Sequence, residues 1–391
     1  MAAHAKLAPS SASRWLACTP SAHLEAQFPD KAGAAAAEGT LAHKLGEAKI
    51  RLAVKQISKA QYSKIVKEVE ADELFTPDMH EYADDYATFV LERFAEAKAH
   101  TPDAKLFVET RLDMTDYVPE GFGTGDVCIV ADTVADFIDL KYGKGVEVSA
   151  VNNKQMMLYA LGLLKEFSFM YNIETVRMTI YQPRIDNTSE WELPTVDLLH
   201  WAETELKPKA ALAFNGEGDF TPGSHCQFCR VRATCRAHAE QQLEVLQYDF
   251  KAAALLDDAE VVDVLKRASA LTSWLKEIGD HALDQAVNSG KKWPGMKLVE
   301  GRSNRMYKDV EAVSLKLTEA GFAEEIIYEP RTILGITAME KAIGKKPFAE
   351  FLDGLVIKPA GKPTLVSADD KRPELNGADK IQADFEEPIE A

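Results

Sequence analysis

The spacing of hydrophobic residues along this 391-residue chain changes between two periods. Apolar residues three and four positions apart are typical of amphipathic helices, and alternation of apolar and polar residues is typical of half-buried strands. The helical segments are 10–25, 38–54, 77–98 and 196–214. The alternating segments are 105–112, 126–130, 134–140 and 175–182. This order predicts a mixed α/β sheet flanked by helices.

Two of the alternating segments are predicted to form a tight antiparallel hairpin. Asp132 and Thr133 fall between them, and if these two residues form the loop, symmetric pairing about it places Asp126 directly across from Asp139. Opposed side chains lie about 5 Å apart at Cβ, so two carboxylates there repel each other unless a cation lies between them. Oxygen ligands suit Mg²⁺ or Mn²⁺. The strand period also places Lys141 on the face of Asp139.

A helix is predicted after the hairpin, and it carries two further polar candidates. Gln155 and Tyr159 stand four positions apart and therefore share one helix face. Each part of this pattern is common on its own, and a Gln and a Tyr at this spacing usually form an ordinary helix face. The order Asp, then Asp-x-Lys, then Gln-x3-Tyr indicates a metal-dependent nuclease.

Three cysteines within ten residues predict a second metal site. Cys226, Cys229 and Cys235 have the spacing C-x2-C-x5-C, which is unusual for ordinary buried thiols. The fourth ligand is either Cys18 or a nearby histidine, and the two candidate histidines are His225 and His238. Cys128 lies within a strand and is assigned to the core. The spacing does not separate zinc from iron–sulfur.

The C-terminal part is predicted to be mostly helical. Periodicity over 255–287 indicates two helices in one hairpin, and a short helix is expected over 337–343 before a strand over 364–367. A basic segment with interleaved aromatics is a candidate for binding single strands, although an ordinary exposed hairpin explains it equally well. Its residues are Lys291, Lys292, Trp293, Arg302, Arg305 and Tyr307. The acidic end, 371–391, is expected to be disordered.

Composition narrows the class of protein. The formal net charge of −17 argues against a surface that is basic overall, so a nucleic acid would have to be held by a local positive groove and a bound metal. No apolar run approaches membrane-spanning length, and the N-terminus lacks a hydrophobic signal core, so a cytoplasmic location is expected. Five unevenly placed cysteines do not resemble a secreted disulfide framework. The sequence also lacks a Walker A motif.

These motifs together resemble the RecB-like branch of the PD-(D/E)XK nucleases, in particular the members with an iron–sulfur staple. Such members are AddB-type recombination nucleases and CRISPR adaptation nucleases, and a phage-encoded group is similar as well. The resemblance spans about residues 10–240. The matching positions are Gly39-x3-His43, Gly125-Asp126, Asp139-Leu-Lys141, Gln155-x3-Tyr159 and the cysteines 18, 226, 229 and 235. Asp139 stands where many members have Glu.

The resemblance implies a restriction-endonuclease-like core over 1–240, closed by a 4Fe–4S cluster on Cys18, Cys226, Cys229 and Cys235. A helical and mixed extension over 241–370 and the acidic tail follow. The resemblance also implies that His43, Asp126 and Asp139 hold Mg²⁺ or Mn²⁺, with Glu109 assisting. Lys141 would orient water or neutralise charge, and Gln155 and Tyr159 would hold the scissile strand.

The expected activity is hydrolysis of DNA phosphodiester bonds, as an exonuclease rather than an endonuclease, in phage recombination, replication or repair. A single-strand-binding or recombination protein is a candidate partner. One alternative is a non-catalytic DNA-binding or assembly subunit that uses the stapled fold as a scaffold. Another is a zinc-ribbon interaction protein with His225 or His238 as a ligand.

Overall fold

The computed structural model describes residues 5–28, 34–244, 256–299, 310–319, 335–352 and 355–356. The chain divides into two compact units, Met1–Gln285 and Ala286–Ala391. The division into segments ending at 240 and 370 stays a prediction. No helix within the described ranges is long and apolar enough to cross a membrane.

A five-stranded mixed sheet lies at the centre of the first unit. Its strands follow one another in chain order: β1 (Lys105–Asp113), β2 (Phe122–Val130), β3 (Thr133–Leu140), β4 (Ile173–Gln182) and β5 (Asn187–Pro194). All neighbouring pairs are antiparallel except β3 and β4, which are parallel. A parallel connection requires a crossover, and helix α6 (Lys154–Phe167) supplies it. The mixed α/β sheet is confirmed.

The register of the central hairpin is the predicted one. Val127 pairs with Ile138 and Val130 pairs with Ala135. Continuing this register by one residue sets Asp126 opposite Asp139. Thr133 adopts a left-handed φ of 67°, which lets the short loop turn within two residues.

The two faces of the sheet bury separate cores. On one face, Phe137 and Cys128 pack with α6, so the assignment of Cys128 to the core is confirmed. On the other face, Ile138 and Leu140 pack with Ile50 of helix α3 (Ala34–Ala53) and with residues of helix α5 (Met79–His100). Because side chains alternate along a strand, one strand supplies both cores.

Several helices differ from their predicted bounds. The segment predicted over 10–25 forms two short helices, α1 (Ala12–Ala17) and α2 (Ser21–Glu25). Sequence analysis missed α4 (Lys59–Glu70), which begins with a capping box between Ser58 and Gln61. It also missed β5. Every second residue of this strand is exposed and most of its residues are polar, so the sequence has no clear apolar alternation.

A helical run follows the sheet. It comprises α7 (Thr195–Trp201), a π-helical turn (Ala202–Leu206) and α8 (Lys207–Asn215), in agreement with the predicted helix over 196–214. Gly216 ends it with a left-handed φ of 75°. A short 3₁₀ turn (Ser224–Phe228) and α9 (Arg236–Leu243) complete this region.

The helical hairpin predicted over 255–287 is wrong. A single 31-residue helix, α10 (Asp258–Asn288), occupies the segment, because no turn-forming sequence interrupts it before Asn288. Beyond it lie α11 (Val310–Glu319), α12 (Ile336–Ile343) and α13 (Lys345–Phe351). The short helix near 337–343 is confirmed. The strand predicted over 364–367 and the tail over 371–391 lie outside the described residues.

Candidate functional site

Three carboxylates come from equivalent positions on three adjacent strands. The β1–β2 pairing joins Val108 to Val127 and Thr110 to Gly125, which sets Glu109 opposite Asp126. The β2–β3 register sets Asp126 opposite Asp139. We call Glu109, Asp126 and Asp139 the acidic row. Neighbouring strands lie about 5 Å apart, so the row concentrates negative charge at one level of the sheet.

Glu109 occupies its place in the row through a distortion of β1. Its φ of 51° is left-handed, and the regular pairing of β1 with β2 skips this residue. A non-glycine residue in this conformation costs about 1–3 kcal/mol and persists where its surroundings hold it. Here Arg51 of α3 donates from Nη2 to the carbonyl oxygen of Val108, the preceding residue, at 3.0 Å.

His43 reaches the acidic row from α3. Its Nδ1 lies 3.3 Å from Oδ2 of Asp126, and the same oxygen accepts a hydrogen bond from the backbone N–H of Leu140 at 2.8 Å. Potential ligand atoms of His43, Glu109 and Asp126 all lie within 4.8 Å of one another. Across the described ranges, this is the only such group of three or more His, Cys, Asp or Glu residues.

Asp139 makes different contacts. The resemblance assigns it to the metal ligands together with His43 and Asp126, yet it is not part of the group that contains Glu109. Its Oδ2 lies 2.6 Å from Nζ of Lys141, and its Oδ1 accepts from Nε2 of Gln155 at 3.5 Å. Lys141 in turn lies 3.4 Å from Oε1 of Gln155. Lys141 thus lies beside Asp139, as the strand period predicts, and Gln155 of α6 contacts both residues.

Burial and charge shift the acid–base equilibria of the site. Burial raises the pKa of Asp139, although Lys141 opposes the change. Burial and the charges of Asp126 and Glu47 raise the pKa of Glu109 to about 7. Burial alone would lower the pKa of His43, but Asp126 outweighs it and raises that pKa to about 9. The charge of Asp126 contributes to both of the last two shifts, although burial is the larger cause for Glu109.

Tyr159 lies in the core rather than at an open surface. It is 7% exposed, and its ring centroid is 4.8 Å from that of Phe137. Glycines in β2 make this packing possible, because a Cβ at Gly123 would lie 2.7 Å from the Tyr159 ring and one at Gly125 would lie 2.6 Å from Phe137. The Gly-x-Gly sequence before Asp126 thus lets α6 approach the sheet closely.

Sequence analysis did not assign three residues that lie near the site. Glu47 and Arg51 follow His43 at successive four-residue steps on α3, and they form an ion pair at 3.0 Å. The polar series His43-x3-Glu47-x3-Arg51 was the available signal. Tyr86 of α5 is 2% exposed and its hydroxyl has no hydrogen-bond partner within the described residues. Nothing in its helical stripe distinguished it from a core residue.

The second predicted site is a pocket formed where the N-terminal helices meet residues 220–238. Cys18 lies at the end of α1, Cys226 lies in the 3₁₀ turn, and Cys235 precedes α9. These three and Cys229 line one pocket, together with His225 and His238. All five cysteines lie in described ranges and none is in a disulfide. Burial raises the pKa values of Cys18, Cys226 and Cys229.

Glu25 holds these two segments together beside this cysteine pocket. Its Oε2 accepts from Nε of Arg14 at 2.7 Å, and its Oε1 accepts from the backbone N–H of Arg230 at 2.8 Å. The carboxylate is 8% exposed, so both bonds are shielded from water. The N-terminal helices and the cysteine-bearing loop are therefore joined through protein contacts alone.

Only part of the predicted strand-binding segment lies within the described ranges. Lys291, Lys292 and Trp293 are included, and Nζ of Lys291 lies 4.0 Å from the centre of the Trp293 ring. Arg302, Arg305 and Tyr307 lie outside. The binding role of the segment stays a prediction.

Comparison with known families places the chain. A family model described as "Protein of unknown function (DUF2800)" matches residues 4–373, which include the acidic row, the cysteine pocket and α10. The chain belongs to the DUF2800 family. This DUF2800 chain is also similar to a solved structure titled "Crystal structure of SSO0001", at 13% identity over 50% of this chain and 95% of that chain, with a TM-score of 0.23. A similarity that weak supports no argument about function.

Proposed function

We propose that this protein is a metal-dependent deoxyribonuclease with a PD-(D/E)XK core of the RecB-like kind. The observation that carries the proposal is the acidic row on three adjacent strands, with Lys141 two residues beyond Asp139 and 2.6 Å from its carboxylate. A lysine fixed beside clustered carboxylates combines cation binding with a positive charge for a phosphate.

The donors of the row fit Mg²⁺ or Mn²⁺. Glu109 and Asp126 offer carboxylate oxygens and His43 offers an imidazole nitrogen, all within 4.8 Å. Asp139 is the further carboxylate that the resemblance includes. A divalent cation held here would lower the pKa of a bound water and polarise a phosphate oxygen. Burial, followed by the charges of Asp126 and Glu47, raises the pKa of Glu109, and a cation bound beside these carboxylates would oppose that rise.

The chain's own residues supply orientation and charge. Lys141 is held between Asp139 and Gln155, so its ammonium has a fixed position for stabilising charge that develops on a phosphate. Gln155 holds Lys141 and Asp139 in place, and we propose that its amide also contacts a phosphate or base of the scissile strand. Tyr159 acts through packing, since its ring is buried against Phe137.

We also propose that the cysteine pocket holds a 4Fe–4S cluster. Four thiols lining one pocket are the donor set of such a cluster. Zinc and an iron–sulfur cluster both use thiolate ligands, and the metal content of the purified protein decides between them. A structural role follows from the position of the pocket between the N-terminal helices and the segment that carries Cys226, Cys229 and Cys235.

The test is a cleavage assay with anaerobically purified protein. End-labelled single- and double-stranded DNA is incubated with Mg²⁺, with Mn²⁺ or with chelator. We expect metal-dependent degradation from an end, and loss of cleavage in Lys141→Ala. The matched control is Lys49→Ala, because Lys49 is also a shielded lysine, paired with Asp84 at 2.5 Å but away from the row.

Two outcomes would contradict the proposal. Full activity of Lys141→Ala would remove the site assignment. DNA binding without cleavage by wild-type protein would favour the non-catalytic scaffold.

For the cluster, Cys226→Ser should lose the visible absorption of iron–sulfur and lower the midpoint of thermal unfolding. Stoichiometric zinc in the wild-type protein would instead support the zinc-ribbon alternative.

A further inference from the structure

The segment between Lys141 and Gln155 is an exposed loop with an unusually well-fixed base. The five residues 143–147 at its tip are all exposed, and Val146 is 72% exposed. A short glycine-containing loop of this kind would move freely if only its ends were held. Its base, however, is bound from the neighbouring strands β4 and β5.

Gln182, the last residue of β4, makes most of these bonds. Its Oε1 accepts from the backbone N–H of Val148 at 2.7 Å, and its Nε2 donates to the carbonyl oxygens of Val146 at 3.1 Å and Gly143 at 3.5 Å. Asn187 donates to the same Oε1 at 2.7 Å. The side chain is thus hydrogen-bonded at all four of its positions. Gln182 is 1% exposed, so these bonds form away from water.

Two residues of β5 add to this base. Asn187 also donates to the carbonyl oxygen of Val148 at 3.0 Å, and Oγ of Ser189 accepts from the N–H of Ala150 at 2.9 Å. None of these bonds touches the acidic row. Their effect is to fix the path of the loop relative to the sheet.

The ends of this loop are the residues that need a fixed spacing. At one end, the backbone N–H of Lys141 donates to the carbonyl oxygen of Tyr181, the neighbour of Gln182. At the other end, Asn153 caps α6 by accepting from the N–H groups of Gln155 and Met156. Between Lys141 Nζ and Gln155 Oε1 the distance is 3.4 Å, which leaves little tolerance for movement of either element.

We propose that Gln182 is a positioning residue of the candidate site. Gln182 binds residues on both sides of the loop, Gly143 on one side and Val148 on the other. It therefore sets where α6 begins relative to the end of β3, and with it the distance between Lys141 and Gln155. This inference rests on the proposed nuclease function. Displacement of a reacting group by about 1 Å can lower a rate on the order of 100-fold, so loss of the anchor should act on turnover rather than on substrate binding.

The test compares Gln182→Leu and Gln182→Glu with wild type. Leu removes every hydrogen bond, whereas Glu keeps the two that Oε1 accepts. The control is Thr179→Val, because Thr179 lies on the same strand, is 0% exposed and has no hydrogen-bond partner for its hydroxyl within the described residues. kcat and KM for DNA are measured with Mg²⁺ or Mn²⁺, and hydrogen exchange is followed in peptides covering 142–153.

We expect Gln182→Leu to lower kcat on the order of 10- to 100-fold with KM changed less than about twofold. Exchange across 142–153 should accelerate. Gln182→Glu should recover neither, because its second oxygen replaces the Nε2 donor and faces the carbonyl oxygens of Val146 and Gly143. Thr179→Val should match wild type. If Gln182→Leu exposes the loop to exchange and kcat is unchanged, the positioning role is wrong while the nuclease proposal stands. If wild type does not cleave DNA, both proposals fail.

A milder variant covers the case in which Gln182→Leu does not fold. Ser189→Ala removes only the bond to Ala150 and leaves Gln182 in place. We expect a fall in kcat of about three- to tenfold, in proportion to the smaller loss of anchoring. An unchanged kcat in a folded Ser189→Ala protein with faster loop exchange would overturn the inference.

Discussion

Strand β3 carries two buried aspartates, Asp136 and Asp139, that illustrate opposite uses of the same side chain. They are 4% and 2% exposed and, three positions apart, point to opposite faces of the sheet. Asp139 lies in the acidic row, beside a lysine and a glutamine amide. Asp136 pairs across the strands with Arg177 of β4, whose Nη1 lies 3.6 Å from its Oδ2.

Burial raises the pKa of both carboxylates, but the charged groups around them differ. Arg177 is permanently charged and also binds Glu190 and Glu192 of β5, so it ties Asp136 into a network that joins three strands. The charged neighbours of Asp139 include Asp126 and His43, and a bound cation would change the protonation of both groups. Burial of an aspartate therefore does not by itself mark a functional site, and the two aspartates differ in their partners: a permanently charged arginine for Asp136, and a lysine, a carboxylate and a histidine for Asp139.

The largest contrast is expected in catalysis. Asp139→Asn should lower DNA cleavage about 10³-fold or more, because it removes charge from the row and the ion pair with Lys141. Asp136→Asn should stay within about twofold of wild type, since it changes a carboxylate of equal burial on the other face. Initial rates at saturating Mg²⁺ measure both. Equal losses in the two variants would show that burial, not the row, determines activity.

Cation binding should separate the same two faces. A ligand that binds only the folded protein stabilises it by about 2.7 kcal/mol at a hundredfold excess over Kd. Thermal melts with Mn²⁺ and with chelator should therefore differ by several degrees in wild type and Asp136→Asn. The difference should vanish in Asp126→Asn and in Glu109→Gln. A shift that survives in Asp126→Asn would place the cation elsewhere.

The stability of the Asp136 network should depend on pH. Burial raises the pKa of Asp136 to about 6 despite the opposing charge of Arg177, so the folded state favours the protonated form. The stability that protonation contributes is complete below the ordinary value near 3.8 and is lost as pH rises through 6. Asp136→Asn removes this dependence.

Relative to wild type, Asp136→Asn should accordingly gain up to about 3 kcal/mol in the free energy of unfolding between pH 4 and pH 7. Urea unfolding at the two pH values measures the change. A constant difference between variant and wild type at both values would contradict it.

The smallest effect is expected at the exposed end of the network. Glu192 lies 2.8 Å from Nε of Arg177, but its side chain is 50% exposed. Exposed ion pairs contribute about 1 kcal/mol or less, so Glu192→Gln should lower the free energy of unfolding by no more than that. The same urea experiment tests it, with added salt as the control, because salt should shrink the difference.

The hairpin could be predicted from sequence because its register depends on local features. With Asp132 and Thr133 as the loop, the alternating segments admit one symmetric pairing, and that pairing aligns Asp126 with Asp139. Glu109 could be recognised as a polar strand residue, but not its grouping with His43. That grouping depends on a left-handed backbone conformation that Arg51 supports from another helix.

Other features were hidden for related reasons. Periodicity over 255–287 predicts a hairpin where the structure has the single helix α10. The spacing of apolar residues shows which face of a helix is buried, but not whether one helix or two cover the segment. The role of Gln182 depends on hydrogen bonds to residues more than thirty positions away, and nothing in a sequence marks those partners. The spacing of the cysteines predicts a metal site. For His225 and His238, only their nearness to these cysteines in the sequence indicated a place in the pocket.

The contact between the N-terminal helices and the segment with Cys226, Cys229 and Cys235 sets an order of assembly during protein synthesis. Cys18 leaves the ribosome roughly two hundred residues before Cys226, which at about 5–20 residues per second is a delay on the order of 10–40 s. All five strands, ending at Pro194, emerge within that interval. The nascent chain can therefore complete its sheet while Cys18 is still a solitary thiol, and closing the pocket is the late step that secures the N-terminus.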